Sequence, residues 1–171
     1  MKIFFAVDRT DFLKEGKIIS LAKYNDITPI ELQRHVDDMF PEGLSHHGDR
    51  YFLTNNSVGT IASPAIELLF EYVRRAHFPT AISRFQSFFA CETEAEAVSF
   101  KNIYGSSTDS IYEIYTNNNY MKVNMNLLIN NNTTLVCSHF AHEYWSGSSS
   151  TLPNPFWEML LELPIRIGKK L

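Results

Sequence analysis

The sequence predicts an α+β domain, and three observations carry that expectation. Apolar residues recur at helical period in several segments and at strand period in others. The two kinds of segment do not alternate as a doubly wound parallel sheet requires; strands crowd toward the C-terminal half. The chain has 171 residues, 44% hydrophobic, with 13 Phe and 8 Tyr, enough for one hydrophobic core. No repeat, linker or shift in composition divides residues 1–171, so one domain is expected.

Residues 3–7 (Ile-Phe-Phe-Ala-Val) form an apolar, β-prone run that ends at Asp8-Arg9-Thr10. A turn at Gly16 leads to a second short strand over 17–19. Thr28 is placed as an N-cap, Pro29 at the first helical position and Glu31 closing a capping box. Leu32, Val36, Met39 and Phe40 then share one face, and Pro41 and Gly43 end the helix. Residues 45–56 read as a polar loop around Tyr51-Phe52-Leu53. Ser63-Pro64 opens the strongest helix, with Ile66, Leu69, Phe70 and Val73 as its buried stripe and Arg74, Arg75 and His77 at its C-terminal end. Residues 83–91 form a strand. Thr93 and Glu96 then make a capping box for a helix that turns Ala97, Phe100 and Ile103 inward. Segments 111–116 and 120–128 read as two strands joined in a hairpin by Asn117-Asn118-Asn119. Residues 129–132 form a turn, 135–145 a helix ending at Gly147, and 148–155 a flexible lead. The terminal stretch is a buried strand broken at Pro164, with one carboxylate, Glu158, at its start between Trp157 and Met159.

The formal net charge of -4 provides no bulk basic footprint for stoichiometric nucleic-acid binding. Cys91 and Cys137 stand far apart in no metal or redox spacing, so a reducing cytoplasm is the expected setting. The N-terminal apolar run is too short for a signal peptide, and no stretch approaches a membrane span.

No metal site is expected. His46 and His47 are adjacent and would point apart, and Glu143 directly after His142 does not make the His-Glu-x-x-His arrangement. There is no Gly-x-Ser-x-Gly turn. Cys91 lacks a histidine partner, and seven glycines leave little for a phosphate-binding loop. What remains lies near three strand ends: Arg9, Ser87 with Phe88 and Phe89, and Glu158. Arginine suits a diphosphate, aromatic rings a planar heterocycle, and a carboxylate in an apolar wall the positive charge of a breaking glycosidic bond. A surface arginine, a core phenylalanine pair and a capped glutamate account for the same residues one by one.

Three segments together resemble ADP-ribosyltransferases. Residues 4–9 with 13–19 resemble that superfamily's opening pattern, aromatic-His-Gly-Thr-Arg followed by Leu-x-x-Gly-x-x-Ile. Ser87-Phe88-Phe89-Ala90-Cys91-Glu92-Thr93 resembles its serine-bearing middle strand running into a helix. Trp157-Glu158-Met159-Leu160-Leu161, with Pro164 beyond, resembles its last motif. The wider run 83–92, with 125–128 and 141–147, is similar to a bacterial branch whose relatives include toxins and phage-defence toxins. The resemblance implies a split β-sheet with flanking helices and NAD as substrate. It implies Glu158, Arg9 and Ser87 as catalytic residues, with Arg9, Arg84, Ser87, Phe88, Phe89 and Tyr144 binding NAD. It also implies a macromolecular acceptor, RNA or DNA before protein, and an antitoxin or inhibitor partner. An NAD glycohydrolase and a non-catalytic module of the same fold are the alternatives. Two departures stand out: Ala6 where many members have histidine, and Phe156 where arginine-modifying members have a second glutamate. His142 and Tyr144 are open to either a pocket role or aromatic packing.

Overall fold

The computed structural model describes residues 1–54, 62–129, 132–147 and 151–171. Among these, seven strands make two antiparallel sheets accompanied by five helices. The first sheet runs in the order β1 (Lys2–Asp8), β4 (Ser110–Thr116), β7 (Ile165–Lys170), β2 (Ile18–Ile19). The second runs β3 (Ser87–Ala90), β6 (Trp157–Glu162), β5 (Tyr120–Asn124). Among the described residues an isolated backbone bridge links the first sheet to the end of β3, where Phe5 and Cys91 exchange both backbone hydrogen bonds at 3.0 and 2.7 Å.

Strand β6 explains why its apolar run is unbroken. Leu160 faces one core with Phe70, Val123, Met125, Tyr144 and Trp145, while Met159 and Leu161 face a second with Phe4, Ala6, Ile114 and Ile167. A strand buried on both faces reads as continuous hydrophobicity rather than alternation.

The helices are α1 (Ile30–Met39), a short α2 (His46–Gly48), α3 (Pro64–His77), α4 (Glu94–Tyr104) and α5 (Thr134–Ser146). Local chemistry sets most of their ends. Ser63 accepts from Ile66 N at 3.2 Å to cap α3, and Thr93 and Glu96 form the expected capping box of α4. Gly147 closes α5 at φ 63°, a left-handed conformation that glycine adopts without penalty. Among the described residues no helix is long and apolar enough to cross a membrane.

Several expectations need correction. Thr28 does not cap α1; Pro29 holds that position in extended backbone with no side-chain bond. Gln33 instead ties α1 to the segment before it, accepting from Ile27 N at 3.1 Å and donating to the Tyr24 carbonyl at 2.8 Å. Leu32 is exposed on that helix, and Ile103 is exposed on α4. The stretch expected as a loop after Ser45 is helical: α2 continues into a wide turn over Asp49–Leu53. The strand from residue 83 starts at Ser87, because Arg84–Gln86 coil into a 3-10 turn. Finally, β4 and β5 are not a hairpin. Each belongs to a different sheet, and the three asparagines carry the chain across. Asn118 donates to the Pro164 carbonyl at 3.0 Å and Asn119 to Glu162 Oε2 at 2.8 Å. The β4–β5 crossing is thereby tied to the β6–β7 crossing. The turns and leads expected over 55–56, 130–131 and 148–150 lie outside the described residues.

Candidate functional site

A cleft of about 220 Å³ opens where the two sheets part, small beside the roughly 300–1,000 Å³ of common ligand pockets. Arg9, Ser87, Phe88, Phe89 and Glu158, expected to act together, all line it. So do Ala6 and Phe156, the two departures from the resemblance. Phe156 packs against Phe100 and Tyr104, with centroids at 6.1 and 6.0 Å.

Glu158 is built in from behind. Its Oε1 accepts from the Tyr144 hydroxyl at 2.9 Å and from Arg84 Nη1, while Oε2 takes no hydrogen bond among the described residues. The side chain keeps 12% exposure, so Oε2 is the oxygen left for the cleft. Glu158 is therefore half of a built carboxylate site: one oxygen held, one offered.

Arg84 also lines the cleft, although most of its donors are engaged within the protein. Its Nε and Nη2 make a two-pronged pair with Glu67 on α3, at 2.7 and 2.8 Å, and Nη1 serves both Tyr144 and Glu158. The guanidinium also lies 4.7 Å over the Phe89 ring, and the residue is 4% exposed. The arginine expected to bind the cofactor thus also acts as a buried strut, with four of its five N–H donors held by Glu67, Tyr144 and Glu158. Tyr144 does not line the cleft; at 1% exposure it stands behind Glu158. His142 packs on His77 and Phe78.

Burial lowers the proton affinity of Arg84, but Glu158 and then Glu67 outweigh it, so the guanidinium is held well above its ordinary value. Burial raises Glu67, yet Arg84 and His47 together bring its carboxyl far below the ordinary 4.5. Tyr144 is pushed well above the usual phenol value by burial, with Glu158 and Glu67 adding and Arg84 opposing. It therefore stays protonated and donates to Glu158.

Ser87 is buried and donates to the Arg84 carbonyl at 3.2 Å. In register it pairs with Glu162, at the far end of β6 from Glu158. Its hydrogen bond braces the turn that carries Arg84 rather than touching the carboxylate. Phe88 and Phe89 alternate across β3, one toward each core. Arg9 leaves β1 on a loop shaped by Asp8, whose carboxylate accepts from the amides of Thr10, Phe12 and Leu13 at 3.2, 3.0 and 2.8 Å. Its guanidinium reaches the Tyr104 carbonyl at 3.4 Å and the Phe100 ring at 5.5 Å. Burial lowers its affinity for the proton, and the neighbouring Arg50 lowers it further.

The lining residues that were not foreseen include His47, Arg50, Tyr51 and Glu67. His46 and His47 do point apart. His46 stacks on Phe12 at 4.6 Å, and His47 lies against Tyr51 and Phe89 at 4.2 and 4.5 Å. His47 Nε2 comes within 3.3 Å of Glu67 Oε1 without meeting the direction a hydrogen bond needs. Glu67 did leave a signal: it adjoins Ile66 on the buried stripe of α3, three residues before Phe70. A carboxylate there must find a buried partner. Arg50 and Tyr51 left none, since their segment read as loop.

The fold and cleft define a two-sheet α+β protein organised around a carboxylate held by a buried arginine. A family model described as a protein of unknown function (DUF2441) matches residues 5–171, and the chain belongs to that family. A comparison with curated proteins found no match.

Proposed function

We propose that the chain is an NAD-dependent mono-ADP-ribosyltransferase acting on a macromolecule. One observation carries the reading: Glu158 presents a single unengaged carboxylate oxygen to a cleft between two sheets linked by an isolated bridge, with Arg9 and Phe89 on the same walls. The split between the sheets is the kind of architecture expected of that superfamily. Two sheets, a three-residue set in matching chain order and a carboxylate facing a cleft support it together.

In this reading NAD is the substrate. Arg9, with Arg50 nearby, meets its diphosphate, and Phe89 faces the nicotinamide. Glu158 Oε2 accepts from a hydroxyl of the adjoining ribose and stabilises the oxocarbenium-like transition state. The bond between ribose C1′ and the nicotinamide nitrogen breaks, and its electron pair leaves with neutral nicotinamide. An acceptor nucleophile then bonds to C1′ and gives up its proton. Phe156 in place of a second glutamate argues against arginine as that acceptor and leaves RNA or DNA as the favoured class. The resemblance to toxins makes an effector restrained by an inhibitor protein the fitting biological setting.

The test uses pure protein and NAD labelled in the adenylate, alone or with RNA, DNA or lysate, beside Glu158→Gln. Label on a macromolecule that disappears in the variant is the expected result. Nicotinamide release without labelled acceptor would make water the acceptor. Absence of both release and NAD binding would overturn the reading and leave the binding module that Ala6 favours.

A further inference from the structure

We propose that Glu67 is the positioning residue of this site: it clamps Arg84, and Arg84 in turn sets which oxygen of Glu158 faces the cleft. The inference rests on the reading of Glu158 as the working carboxylate. Three facts lead to it. Glu67 is 1% exposed and engages Arg84 through two parallel bonds of 2.7 and 2.8 Å. Those bonds use Nε and Nη2 and fix the guanidinium plane, so Nη1 is the edge left to Tyr144 and Glu158. Phe89, 4.7 Å from the guanidinium, closes one face of that plane.

The geometry therefore transmits orientation from α3 through the 84–86 turn to the first residues of β6. With Glu67 neutral, one prong of the clamp changes from charged acceptor to amide, and the guanidinium is free to rotate toward Glu158. A two-pronged Arg84–Glu158 pair would then consume Oε2, the oxygen the cleft needs. Glu158 would remain present but turned away from the ligand.

Glu71 is the natural control. It lies one helical turn along α3, is equally buried, and pairs with Arg74 and Arg75 instead of Arg84. Nicotinamide release from NAD is measured for wild type, Glu67→Gln and Glu71→Gln, with thermal melting of each. In parallel, protein labelled with carbon-13 at glutamate carboxyls is examined by NMR, with the Glu158 resonance assigned by its loss in Glu158→Gln. The expected result is a fall in kcat of roughly 100-fold for Glu67→Gln with little change in KM, the scale set by misplacing a reacting group. Glu71→Gln should melt earlier yet keep wild-type kcat. The Glu158 resonance should move in Glu67→Gln and stay in Glu71→Gln.

Wild-type kcat in a folded Glu67→Gln protein overturns the proposal. If wild type itself releases no nicotinamide, the NAD reading fails and the resonance decides. Movement in Glu67→Gln alone upholds the clamp for whatever the cleft binds. Movement in neither variant, or equally in both, rejects it.

Discussion

Helix α3 carries two buried carboxylates, and they belong to opposite kinds of network. Glu71 accepts from Arg74 at 2.9 and 2.8 Å, from Arg75 at 2.7 Å and from Ser83 at 2.8 Å. Both of its oxygens are satisfied, two cations surround one anion, and Arg74 continues to the Ala81 carbonyl at 3.0 Å. That network staples the end of α3 to the segment after it. Around Glu67 the ratio reverses. One cation, Arg84, lies between Glu67 and Glu158, and one oxygen of Glu158 stays unengaged at a cleft wall. A closed network accounts for itself by what it holds together. An open one, with excess charge and a spare acceptor, is what a ligand site looks like before the ligand arrives.

The sharpest way to break this comparison is to remove one carboxylate from each network. Glu158→Gln should abolish at least about 99% of nicotinamide release, the scale of losing one preorganised transition-state contact, without lowering the melting temperature. Arg84 keeps Glu67 as its counter-ion, and an excess negative charge is relieved. Glu71→Gln should do the reverse. It leaves Arg74 and Arg75 without their shared anion and should cost about 3 kcal/mol, read from the urea midpoint, while release continues. Equal stability losses in both variants would mean the networks are not different in kind.

A second test exploits pH. The Glu67 carboxyl is held far below 4.5, against the pull of burial, by Arg84 and His47. The unfolded chain therefore binds its proton first as pH falls. The stabilisation is fully present above the unfolded value near 4.5 and is lost progressively below it. Urea midpoints at pH 7, 5, 4 and 3 should fall steeply through the acid range, and Glu67→Gln should flatten that fall. An unchanged slope would show that Glu67 gains nothing from its partners.

How much of this was legible in the sequence depends on how far apart the partners lie. Ser63, the Thr93–Glu96 box and Gly147 act within a few residues, and each helix end they mark was readable. Glu158 at the start of a strand was readable too, because an apolar run with one acid is a local pattern. The pairing of β4 with β1 and of β5 with β6 was not. The three asparagines read as a turn, and only Glu162 and the Pro164 carbonyl, more than forty residues on, make them a crossing. Arg84 shows the same limit. Its partners lie 17, 60 and 74 residues away, so its charge suggested a ligand where the fold supplies two glutamates and a tyrosine.

Tyr144 tests the back of the open network more gently. Its hydroxyl accepts from Arg84 and donates to Glu158 Oε1 at 2.9 Å. Tyr144→Phe removes that donor and leaves Arg84 as the sole brace. Turnover should fall about tenfold, the worth of one hydrogen bond to a charged group. KM should hold, because Tyr144 does not line the cleft. A large rise in KM would instead place its ring against the ligand.

The smallest effect belongs to Cys91, which lines the cleft and meets Phe5 at the bridge between the sheets. Burial pushes its thiol up to about 12, with Glu96 and Glu158 adding to the shift. At pH 8 almost none is thiolate, and the thiolate is the reactive form. Iodoacetamide should modify the native protein far more slowly than the denatured chain, and Cys91→Ser should leave turnover unchanged. Glu158 contributes to the rise, so Glu158→Gln should speed the alkylation while Glu71→Gln should not. The thiol thus reports the charge on Glu158 and not that on Glu71. Rapid alkylation of the native wild type would show that the cleft wall around Cys91 is wetter and less negative than the bridge geometry implies.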